Sequence, residues 1–61
     1  MMRARREAVG MPMRLMSRRL GVSHVMLIKL ERGERTWSFD LAGKYVQILE
    51  DFRNAHTEIV A

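Results

Sequence analysis

Three breaks constrain this chain more than any other feature. Gly10 with Pro12, then Gly21, then Gly33, cut it into pieces of helix length. Within the pieces, apolar residues recur at helical spacing. No stretch alternates β-branched and polar residues as a half-buried strand would. The expected fold is therefore all-α, a compact arrangement of four to five helices. Sixty-one residues without a cysteine make one domain at most, residues 1–61, with neither disulfides nor Cys-ligated zinc to stiffen it. So short a chain buries only about 60% of its unfolded surface. Its stability must come from packing, assisted by a partner subunit where there is one.

The first helix is expected over residues 2–9, where Arg, Ala and Glu favour helix and Gly10 ends it. The second spans residues 12–20. Pro suits a first helical turn, because the amide it lacks would have no partner there. Met13, Met16, Ser17 and Leu20 share one face; Arg14, Arg18 and Arg19 lie off it. Leu15 lies off it too and reads as an exposed apolar residue. Gly21 permits a tight turn with positive φ. The third helix spans residues 23–32, with Ser23 as N-cap and Gly33 as its stop. A fourth starts after Ser38 and reaches at least Phe52. Residues 54–61 read equally as a frayed tail or a short last helix.

The third helix holds the longest apolar run, residues 25–28. On a wheel of about 100° per residue, Leu27 and Leu30 point one way, with Glu31 and Met26 beside them. Val25, Ile28, Lys29 and Arg32 point the other way, with His24 at the edge. The run therefore splits. Leu27 and Leu30 are core anchors, and two β-branched apolar residues stand outward among cations. A solvated helix face is normally polar, so this side reads as a contact surface.

Charge supports a polyanion as the partner. Residues 1–35 carry nine Lys/Arg against three Glu, a net of +6, and residues 36–61 carry a net of −2. A basic half beside an acidic half is the footprint of such binding. The order of apolar, small and glycine residues from Met16 through Ser17, Leu20 and Gly21 to Leu27 and Leu30 fits two helices crossing at a tight turn, a helix-turn-helix.

RRLGVS followed by LIKLERGER resembles the Cro and phage-repressor class of helix-turn-helix domains, also called Xre-type. The resemblance covers residues 2 to about 50, and residues 10–33 match in register without gaps. It implies a repressor-like domain whose third helix is the recognition helix. It also implies that Arg6 pairs with Glu31, and an unpaired carboxylate beside the core would be costly. Base contacts would fall to His24, Val25, Ile28 and Lys29. A Lys can donate to guanine O6 and N7, and apolar side chains pack on the thymine methyl. Phosphate contacts would fall to Arg14, Ser23, Arg32 and Arg35, aided by helix N-termini. Two departures stand out. Met13 occupies the position where most members place Gln, and Val25 and Ile28 stand where many carry polar residues. Both weaken hydrogen-bonded reading.

On the fourth helix, Ala42, Val46 and Leu49 form one apolar stripe and Leu41, Tyr45, Ile48 and Phe52 a second. The first is expected in the core. The second is assigned to a homodimer interface, with Ile59 of a folded-back tail as the other way to cover it. Trp37 is expected to cap the core.

The function expected is sequence-specific binding of double-stranded DNA by a Cro-like transcriptional regulator of phage or prophage type, a repressor acting by operator or promoter occlusion. The alternative is a protein-interaction module of antitoxin or anti-repressor type on the same fold, using Leu15, Val25 and Ile28. Salt dependence of duplex binding separates the two. An enzyme is not expected. His24 and His56 are the only histidines, and no carboxylate pair is tied to a cleft. No cofactor, metal or small-molecule ligand is expected. No run is long enough to span a bilayer and none reads as a secretory signal, so the expected location is the cytoplasm or nucleoid of a bacterial host.

Overall fold

The computed structural model describes residues 2–60, with side chains through residue 55. It contains four helices: α1 Met2–Ala8, α2 Met13–Leu20, α3 His24–Glu31 and α4 Phe39–Val60. No strand occurs among the described residues. The turn after α1 is closed by the Gly10 and Met11 amides donating to the Glu7 and Arg6 carbonyls, at 3.0 and 3.1 Å. This turn drives Met11 into the core. The breaker-rich setting between Gly10 and Pro12 concealed that from the periodicity.

Helix α2 ends at Gly21, whose φ of 79° carries the chain into the left-handed region. Its amide and that of Val22 both donate to the Ser17 carbonyl. Lys44, from α4, donates through Nζ to the Leu20 carbonyl at 3.3 Å. A cation thereby meets the negative end of the α2 dipole. Helix α3 opens at Ser23, whose Oγ accepts from the Met26 amide at 3.1 Å. Ser38 does the same for α4, accepting from the Leu41 amide.

The core gathers Met11, Met16, Leu20, Leu27, Tyr45, Leu49 and Phe52, with Leu30 buried nearby. Ser17, small and buried, lies on the α2 face that meets the other helices. Trp37 is partly buried, donates from Nε1 to the Leu30 carbonyl at 3.1 Å, and meets the Tyr45 ring edge-on at 5.1 Å. It thus closes the core beside the end of α3.

Four expectations are corrected. The stripe assigned to a dimer interface belongs largely to the chain's own core. Tyr45 is fully buried and Phe52 buried, while Leu41 and Ile48 are partly buried against the same cluster. Ala42 and Val46, expected inside, are only half-buried. The reason is geometric: several helices of the same chain press on α4, so its wide apolar arc is consumed within one molecule. Leu15 is likewise partly buried against the core. Phe39, at the start of α4, is 93% exposed. Residues 54–60 form neither a frayed tail nor a separate helix, because α4 continues through them without a break. The side chain of Ile59 lies outside the described set.

Candidate nucleic-acid interface

Helix α3 is fixed from its inner side. Leu27 and Leu30 are buried, and Glu31 is 7% exposed. Both oxygens of the Glu31 carboxylate accept hydrogen bonds. Arg6 of α1 grips it in bidentate fashion, with Nε to Oε2 at 2.9 Å and Nη2 to Oε1 at 3.1 Å. The third guanidinium nitrogen, Nη1, donates to the Met11 carbonyl at 2.9 Å. The Tyr45 hydroxyl of α4 also reaches Glu31 Oε2, at 2.7 Å. The Met2 carbonyl lies 3.2 Å from the same hydroxyl. A hydroxyl has one proton, and the nearer, charged acceptor takes it.

Three helices thus converge on one carboxylate at the end of α3. The hydrogen bond to Glu31 is the main cause that pushes the Arg6 pKa above its ordinary value, outweighing desolvation. Burial pushes the Tyr45 phenol well above its ordinary range, and the hydrogen bond to Glu31 adds to it. Both groups are locked in the forms that donate.

Sequence reasoning missed Tyr45 as a member of this cluster. A signal was present, since a buried tyrosine hydroxyl needs a partner and Glu31 was the one acid expected beside the core. Assigning Tyr45 to a dimer face removed it from consideration.

The outer side of α3 is open. His24, Lys29 and Arg32 are exposed, Val25 is 61% exposed, and Ile28 is partly exposed. Ile28 and Met13 line a hollow of 350 Å³ together with Arg3, Glu31 and Arg32. Arg14 and Ser23 are exposed on the same pair of helices, and Arg35 is exposed in the segment after α3. Arg32 contacts Glu34 at 3.1 Å across an exposed pair. Such pairs are weak, so a phosphate can displace the partner. The residues expected to read bases are thus exposed or partly exposed on α3, and those expected to hold phosphates are exposed on α2, at the ends of α3 and in the segment after it.

This arrangement is a helix-turn-helix: α2 ends at a left-handed glycine, α3 follows, and the outward side of α3 is left uncovered. The family described as "Helix-turn-helix" matches residues 2–50, most of the chain. The chain belongs to this family, the Xre/Cro-type helix-turn-helix proteins, and is a DNA-binding transcription regulator of Xre type. No curated protein and no solved structure matches it. Among the described residues, no helix is long and apolar enough to cross a membrane.

Proposed function

We propose that the protein is a sequence-specific, Cro-like regulator that places α3 in the major groove of double-stranded DNA and acts by occluding an operator or promoter. His24, Val25, Ile28 and Lys29 contact base edges. Arg14, Ser23, Arg32 and Arg35 hold phosphates on either side. The observation that carries this reading is the open, cation-flanked outer side of α3, with Val25 61% exposed on a helix whose inner side is tightly held. Two copies bind as a homodimer, with half-sites about 34 Å apart. Tyr45 and Phe52 take no part in that pairing, because their own chain fills that space. The site of action is the bacterial nucleoid.

A salt titration of duplex binding tests the proposal. Neutralising about five phosphates gives a log–log slope near −4.5. Undetectable duplex affinity at low salt would transfer the outer face of α3 to a protein partner. The apolar patch for that second use is reduced, however, because Leu15 packs against the core.

A further inference from the structure

We infer that the outer face of α3 reads pyrimidine C5-methyl groups, so that 5-methylcytosine can replace thymine at the positions it contacts. This rests on the proposal that α3 enters the major groove, and it names what the helix recognises there. Val25 is the most exposed apolar side chain on α3. Ile28, one turn on, forms part of a recess with Met13, Arg3, Arg32 and the Arg6-paired Glu31. None of the side chains of Val25, Ile28 and Met13 carries a hydrogen-bond donor, and neither Val nor Ile carries an acceptor.

The major-groove edge of a base pair offers hydrogen-bonding atoms and one apolar feature, the thymine methyl. Valine pressed against guanine O6 or cytosine N4 would strip water from a polar atom and return nothing. Against a methyl it buries apolar surface on both sides. The surrounding charge identifies the rest of the occupant. Arg3 and Arg32 line the recess with Ile28, and Lys29 follows Ile28 on α3; all three cations are exposed, which suits a polyanion with an apolar spot between its phosphates.

A cytosine methylated at C5 presents the same group at the same ring position as thymine. Lys29 lies four residues beyond Val25, on the same side and about 6 Å along the axis. That separation puts a guanine contact within about two base pairs of the methyl.

The test uses the full chain and a duplex obtained by random-sequence selection. At each thymine of the selected site, four bases are compared: thymine, deoxyuridine, cytosine and 5-methylcytosine. Deoxyuridine keeps the thymine edge and lacks only the methyl. Its substitution is expected to weaken binding about fourfold per contacted methyl. Methylating cytosine at the same position should recover a similar factor. Val25→Ala, at an exposed position, should keep the parent helical signal and melting temperature. It should also flatten the thymine–deoxyuridine contrast at one position while leaving the others.

Equal binding of thymine and deoxyuridine duplexes, with salt-dependent sequence preference intact, would overturn methyl reading and leave groove docking standing. So would a Val25→Ala variant that weakens both duplexes by the same factor. Failure to bind any duplex at low salt would overturn both readings together.

Discussion

Each side of α3 holds an exception to the usual distribution of polarity. Its inner side holds a carboxylate, Glu31, that accepts from two nitrogens of Arg6 and from the hydroxyl of Tyr45. Its outer side holds Val25 and Ile28, uncovered or half-covered, among Lys29 and Arg32. For stability alone the reverse would serve better. Hydrophobic residues of similar volume often replace a buried ion pair without loss, and a polar residue at position 25 would put less apolar surface in water. The difference separates two tasks. The inner cluster fixes where α3 sits relative to α1 and α4, and the outer face is kept for a partner.

Removing the centre of the inner cluster tests the comparison most severely. Glu31→Ala leaves the Arg6 guanidinium buried without its counter-charge, which is expected to cost about 3–5 kcal/mol. In a domain this small that is most of the total stability. Urea denaturation should show a midpoint displaced to much lower urea than that of the parent. A loss below about 1 kcal/mol would mean that the inner side is no more specialised than a surface pair.

Tyr45→Phe is gentler. It keeps the ring against Trp37 and removes only the hydroxyl, with an expected loss of about 1.5–3 kcal/mol for a hydrogen bond to a charged acceptor. The same residue sets an alkaline limit. Burial raises the Tyr45 pKa above its ordinary value of 10.0. Its contribution is complete below about pH 10, where the phenol is protonated in both folded and unfolded chains, and is lost as pH rises further toward the folded value. Tyr45 is the only tyrosine, so phenolate absorbance reports it alone. Above pH 10, phenolate should appear together with loss of helix, and Tyr45→Phe should lack this component of the alkaline transition. Phenolate forming while the helices persist would contradict the buried hydrogen bond.

The outer side is expected to respond in binding and not in folding. Lys29→Ala should lose about 1–3 kcal/mol on the preferred duplex and relax preference at one position. Arg35→Ala should weaken all duplexes alike and lower the salt slope by about one. Competition assays that find the same uniform loss for both would erase the division between reading and anchoring residues. The smallest effect on folding belongs to Val25→Ala, whose melting free energy should stay within about 0.5 kcal/mol of the parent. A larger loss would show that Val25 is a structural residue.

Periodicity and breakers made much of the architecture legible. Ser23, Ser38, Gly21 and Gly33 mark helix ends by local chemistry, and Leu27 and Leu30 declare the inner side of α3 by spacing alone. The split of residues 25–28 into inward and outward sides was legible for the same reason. Met11 was not, because a residue in a turn follows no helical period. The assignment of Tyr45 and Phe52 failed for another reason. A wheel gives the direction of a side chain but not how many neighbours press on that direction.

The amino-acid order by itself determined the local matters: where helices start and stop, which way each side chain of α3 points, and where positive charge concentrates. Those depend on interactions within a few residues. Only the tertiary structure decided which stripe of α4 is core, and that Tyr45 of α4 joins the expected Arg6–Glu31 pair at the carboxylate. Such outcomes depend on contacts between residues as far apart as Glu31 and Tyr45, or Met2 and Tyr45, and no short-range pattern encodes them.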